Sequence, residues 1–143
     1  MVNADIQTLH EPDGSPVCNV TFDLSSDQLG ATAHALAEML LERHRGQDLD
    51  VDAVLALREL TSVRDEFARL AEAQANVTVL MTLGRLIALH DAADEWVVTR
   101  TGRDWLREAD RDALPFVGGM LEPLASLRAR GVAAALGSAA ASN

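Results

Sequence analysis

VTFDLSSDQLGATAHALAEMLLERH (Val20–His44) and VTVLMTLGRLIALHDAADEWVVTR (Val77–Arg100) decide the fold. Each opens on a short β-branched run, passes a Ser or Thr, and continues as a long amphipathic stretch. In the first, Val20, Phe22 and Leu24 alternate with Thr21 and Asp23, the period of two that marks a strand with one buried face. Ser25 or Ser26 then caps a helix whose apolar stripe is Leu29, Ala33, Leu36, Ala37, Leu40 and Leu41. Arg43, His44 and Arg45 suit its C-terminal end, and Gly46 stops it. In the second, Asn76–Thr82 reads as a short buried strand. The helix after it runs from about Leu83 to Arg100, with Leu86, Ala93 and Val97 facing inward and Leu83, Ile87 and His90 beside them.

Upstream of these stretches, residues 4–24 read as a β-hairpin: Ile6 and Leu9 lie in its first strand, and Pro12, Asp13, Gly14 and Ser15 supply the turn. Between them, a helix from about Asp52 to Gln74 carries Leu57, Leu60, Val63, Phe67 and Leu70 at spacings of three and four. After them, Thr101 and Gly102 end the helix, and Asp104–Ala109 is expected to be helical. A last helix carries Leu114, Val117, Met120, Leu121, Leu124 and Leu127, weakened at Gly118, Gly119 and Pro123.

A shift that lays Val20 on Val77 also lays Thr21 on Thr78, Leu29 on Leu86, Ala35 on Ala92 and Glu38 on Glu95, without a gap. The stripe Leu57, Leu60, Phe67, Leu70 falls on Leu114, Val117, Leu124, Leu127. The expected fold is therefore α+β and mostly helical: a tandem β-α-α pseudo-repeat, roughly residues 17–74 and 75–131. Its small antiparallel sheet, the hairpin plus a strand near 77–81, is packed by about four helices, with the two units related by an approximate two-fold axis. Residues 1–136 form one domain, and the tail 137–143 has too little apolar mass to stay ordered.

The chain has 143 residues, 48% apolar and 24% charged, enough for a sizeable core. No apolar run is long enough to span a bilayer. The start, MVNADIQTLHEPDG, has neither a basic region nor an apolar segment of a secretory signal, so the expected location is the cytoplasm. A net charge of −10 repels phosphate and disfavours nucleic acid as a partner, while favouring solubility and basic partners. All 12 cations are Arg, which with the many Ala, Asp, Leu and Val residues reflects GC-rich coding. Cys18 is the one cysteine; it sits in an alternating segment with no flanking cation and reads as a structural thiol.

A few constellations in the sequence bear on chemistry. Asp48, Asp50, Asp52 and Glu59 match positions one, three, five and twelve of an EF-hand loop, but position six is Ala53 where the turn needs Gly, so the segment reads as an acidic loop and helix N-cap. His34 and Glu38 stand four apart on one helical face, as do His90 and Asp94, with no third ligand visible for either pair. No nucleophile elbow, phosphate loop or zinc-enzyme spacing occurs. No catalytic residue, metal ligand or cofactor is assigned.

WVVTRTGRDWL (Trp96–Leu106) resembles the last strand and following helix of winged-helix regulators, with LIALHD and EWVVTR as the two strands of the wing. That resemblance implies a transcriptional regulator. The preceding FARLAEAQANVTVLM, however, holds one Arg where such proteins carry a cationic recognition helix. Trp96 and Trp105 flank Arg100 and Arg103, residue types enriched at interface hot spots, and the four are the candidate interface. Adjacent apolar pairs, Leu40-Leu41 and Val97-Val98, exceed what one helix face hides. The expectation is a non-enzymatic protein–protein interaction module, with a protein partner or a second copy of itself. The alternative is a ligand-binding protein or enzyme whose pocket, between the two units, gathers His34, Glu38, His90 and Glu95.

Overall fold

The computed structural model describes residues 4–10, 16–45, 50–73 and 76–141. In chain order it forms β1 (Ala4–His10), β2 (Pro16–Leu24), α1 (Ser26–His44), α2 (Val51–Ala71), β3 (Val77–Thr82), α3 (Leu83–Thr101) and α4 (Glu108–Ala141). The class is the expected α+β: four helices and a three-stranded antiparallel sheet in the order β1-β2-β3. The turn assigned to Pro12–Ser15 and the helix stop at Gly46 lie outside the described residues.

The alternation in β2 sets the register. Val20 lies opposite Met81 and Phe22 opposite Val79, so both cross-strand pairs face the core. Leu80, between them on β3, points the other way and is exposed. Two helices grow directly out of strands because a hydroxyl residue ends each strand as an N-cap. Ser25 accepts from the Gln28 N–H while the Gln28 side chain accepts from the Ser25 N–H, a capping box that starts α1. Thr82 accepts from the Arg85 N–H and starts α3. α1 then runs through the middle of the helical layer, touching α2, α3 and α4, while α4 and α3 pack on the sheet.

The main core draws on every element: Phe22 and Val79 from the sheet, Leu29 and Leu36 from α1, Leu60 and Phe67 from α2, Leu86 and Leu89 from α3, and Leu124 and Leu127 from α4, with Ala4 and Ile6 of β1 against it. A second apolar cluster lies between α1, α3 and α4. There Ala31, Ala35, Ala93 and Ala113 leave room for the Trp96 indole, beside Met39 and Val117.

Four sequence expectations need correction. The two segments expected as wing strands, LIALHD and EWVVTR, lie within one helix: Leu86, Leu89, Ala93, Trp96 and Arg100 are buried at spacings of three and four, and this stripe overrides the local β-branched Val97-Val98-Thr99. The same stripe places Trp96 inward, whereas Val97 is only half-buried. Residues 103–107 are not helical, since of these only Leu106 is even partly covered. Finally, α4 passes through Pro115 and Pro123, each of which removes one backbone donor, and continues to Ala141 where a disordered tail was expected. The high helix propensity of alanine accounts for that extension. The order strand–helix–helix does occur twice, β2-α1-α2 and β3-α3-α4. A repeat is not confirmed by it: amphipathic periodicity alone lays buried positions on buried positions, and the second helices differ in length, 21 residues against 34.

Candidate functional site

The buried charged groups of the helical layer meet at one place, beside the alanine-lined Trp96 cluster. α1 supplies His34, Glu38 and Glu42, one helical turn apart in succession. α3 supplies Trp96 and Arg100, likewise one turn apart. The first turn of α4 supplies Asp110. Arg100 is 2% exposed and Asp110 3%, so both charges are held inside and depend on partners.

Glu38 is the hub. Its Oε2 accepts from Arg100 Nη2 at 2.6 Å and from Trp96 Nε1 at 3.3 Å. The same Arg100 Nη2 reaches Glu42 at 2.5 Å, and Arg100 Nη1 donates to the Thr99 hydroxyl at 2.8 Å. The guanidinium also lies 5.4 Å from the centroid of the Trp96 ring. On the other side of the hub, His34 Nε2 lies 2.7 Å from Asp110 Oδ1 and 2.9 Å from Glu38 Oε1. The shorter contact is a hydrogen bond, and the longer one is not aligned as one, so Glu38 Oε1 is a buried acceptor without a donor. Arg100 Nε is a buried donor without an acceptor.

Electrostatics follow from this packing. Burial pushes the Asp110 pKa up, but the hydrogen bond to His34 and the charges of His34 and Arg100 outweigh it, leaving the group below its ordinary value. An ionised Asp110 accepts, so His34 Nε2 carries the hydrogen between them. For Arg100, burial lowers the pKa, and the hydrogen bonds and charges of Glu42 and Glu38 more than restore it. Among the described residues no hydroxyl or thiol hydrogen-bonds to His34, so the arrangement pairs charge and offers ligand atoms rather than activating a nucleophile.

The four residues of the expected pocket are divided among three places. His34 and Glu38 belong to the hub, His90 Nδ1 meets Arg128 at 3.2 Å, and the half-exposed Glu95 pairs with Arg43 at 3.0 Å. Arg128 also holds Asp91 at 2.6 Å. The expected interface set divides as well: Trp96 and Arg100 are interior, whereas Arg103 and Trp105 are exposed, Trp105 to 74%. On the acidic loop, Asp50 is the N-cap of α2 and accepts from the Ala53 N–H at 2.8 Å, Glu59 is bound to Arg85, and Asp48 lies outside the described residues. Cys18, half-buried, donates to the Gly131 carbonyl at 3.7 Å, and burial raises its pKa, as suits a structural thiol.

Asp110, Glu42 and the central role of Arg100 were missed in the sequence. The signal for two of them was phase. Asp110 continues the buried α4 stripe Ala113, Val117, Met120, Leu124, and Arg100 continues that of α3. A charge in step with a buried stripe needs a buried partner.

A cleft of about 530 Å³ lies elsewhere, lined by Phe22, Leu24, Gln28, Met120, Leu124 and Arg130 among others, with none of the hub residues in its wall. Compared with known proteins, the chain matches no family model, no curated protein and no solved structure. No helix of the described residues is long and apolar enough to cross a membrane.

Proposed function

We propose that the protein is a non-enzymatic interaction module in which the C-terminal half of α4 pairs with the same segment of a second copy. The observation that carries this reading is one face of α4. Ala125, Ala129, Val132, Ala133 and Leu136 are all exposed, Leu136 to 66%. At 3.6 residues per turn they share an arc of about 100°. With Arg128 they line a shallow apolar groove. From Gly131 to Ala141 the helix carries no charged residue, although the chain as a whole carries −10.

An apolar helical face without cover favours a partner. Alanines let two helix axes approach closely, and a single continuous stripe is self-complementary across a two-fold axis. The absence of charge along this segment spares that contact the like-charge repulsion the rest of the surface would bring. Leu41 and Val98, each the outer member of an adjacent apolar pair, add exposed apolar area at 59% and 64%. The partner is a protein and not nucleic acid, because the overall charge repels phosphate.

Sedimentation velocity from low to high micromolar concentration tests the reading. The expected result is a concentration-dependent dimer that reverts to monomer when Val132 and Leu136 are both changed to Asp, with unchanged helical circular dichroism. A chain that stays monomeric throughout, or a dimer indifferent to both substitutions, would overturn it.

A further inference from the structure

We infer that His34, Glu38 and Asp110 form a binding site for a divalent first-row transition-metal ion, with zinc as the ion that best fits the donor set. The three side chains come from two helices, and one ligand atom of each, His34 Nε2, Glu38 Oε1 and Asp110 Oδ1, converge within 4.8 Å of one another. One imidazole nitrogen and two carboxylate oxygens are ligands zinc accepts, whereas calcium and magnesium prefer oxygen alone.

The second observation is a hydrogen that is missing. Two carboxylate oxygens face one imidazole nitrogen, and that nitrogen carries a single hydrogen. Asp110 takes it, at 2.7 Å, and Glu38 Oε1 is left buried with no donor, although it lies 2.9 Å from the same nitrogen. A cation in place of that hydrogen satisfies both oxygens at once. Tetrahedral ligation at zinc distances separates neighbouring donor atoms by roughly 3.3 Å. The two separations from His34 Nε2 are slightly shorter, so the imidazole and each carboxylate need only part by about half an ångström to admit the ion. Charge points the same way: Glu38, Glu42 and Asp110 face Arg100, the more distant Arg103 and one histidine, and a neutral His34, the form that ligates, leaves the cluster negative.

The surroundings divide the labour. Arg100 and Trp96 grip Glu38 by Oε2, the oxygen turned away from the site, and so hold Oε1 toward it, as outer-shell donors do for ligating carboxylates. The Arg100 charge opposes the ion and sets a limit on affinity. His34 is about one-third exposed, which gives the ion an entry path and leaves open positions for water. The site, at the first turn of α4, is separate from the apolar face in its last turns, and neither inference depends on the other.

Calorimetric titration of the metal-free full-length protein with zinc chloride near neutral pH tests the site. One equivalent should bind with micromolar or tighter affinity. Magnesium or calcium in large excess should not displace it. His34→Gln, at a half-exposed position that tolerates the change, should weaken binding by about 100-fold or more, and Trp96→Phe by about tenfold without abolishing it. No binding to the wild-type chain, or binding that persists in His34→Gln, would overturn the assignment.

Discussion

Arg100 and Trp96, one turn apart on α3, donate to the same oxygen of Glu38 on α1, and the guanidinium lies 5.4 Å from the indole centroid. The two helices are thus joined by a charge and a neutral donor at a single point, and a cation–π contact within α3 holds the two donors together. Arg100→Ala removes the cation and leaves carboxylates facing an interior position. Breaking such a pair costs about 3–5 kcal/mol. Urea unfolding followed by circular dichroism should show a loss in that range. Arg100→Lys should recover less than half of it, because a lysine cannot span Glu38, Glu42 and Thr99 at once. A loss below about 1 kcal/mol would mean that the network behaves as a solvated surface pair.

The two tryptophans should report separately. Trp96 is fully buried among alanines, and Trp105 is 74% exposed on the connection between α3 and α4. Trp96→Ala should cost about 3–5 kcal/mol, as large-to-small core changes do. Trp105→Ala should fall within about 0.5 kcal/mol of wild type. In Trp105→Phe the remaining fluorescence should be blue-shifted and resist acrylamide. Strong quenching of that variant would place Trp96 at the surface and away from Glu38.

Why the sequence revealed the elements better than the site is plain from particular residues. Val20, Phe22 and Leu24 carry a period of two, and Leu57, Leu60, Val63 and Phe67 a period near 3.6, so β2 and α2 were legible locally. Ser25 announced the start of α1. On α3, Leu86 and Ala93 face inward as expected, but the next inward position is Trp96 and not Val97, because apolar residues occupy both faces there and only packing chooses between them. His34 and Glu38 were visible as a pair, but their third partner, Asp110, arrives from a helix far along the chain. Such a convergence leaves no local motif, and the pairing of His34 with His90 was wrong for the same reason: His90 lies against Arg128. A buried charge in step with an apolar stripe was the one available clue, and it names a need for a partner without naming the partner.

Asp110 should make stability depend on acid. Burial raises its pKa, yet the hydrogen bond to His34 and the nearby positive charges hold it below the ordinary value in the folded chain. The folded state therefore binds this proton less readily than the unfolded state. The resulting stabilisation is complete above the unfolded pKa, about 3.9 for an aspartate, and is lost as pH falls through the depressed folded value. Unfolding free energies measured from neutral pH downward should drop steeply below about pH 4, and the drop should be shallower in Asp110→Asn. An identical acid profile in the variant would show that Asp110 titrates as an ordinary carboxyl.

Two glycines of α4 make a paired test of its packing. Gly119 sits mid-helix with nothing within 4 Å of where a methyl would go, whereas a methyl on Gly131 would stand 2.7 Å from Leu83 Cδ1. Replacing glycine by alanine inside a helix contributes about 1 kcal/mol where space allows, because alanine loses less backbone freedom on folding. Gly119→Ala should therefore raise the thermal midpoint by roughly 2–5 °C for a domain of this size. Gly131→Ala starts with the same backbone advantage but must displace the end of Leu83, which packs against the main core, and overpacking of that kind costs about 1–3 kcal/mol. Its midpoint should be unchanged or lower. The Gly131 carbonyl also receives the Cys18 thiol, so a shift of α4 there should speed the reaction of Cys18 with a thiol reagent relative to wild type. Equal stabilisation by both substitutions, with no change in thiol reactivity, would show that α4 does not press on α3 and the sheet at Gly131.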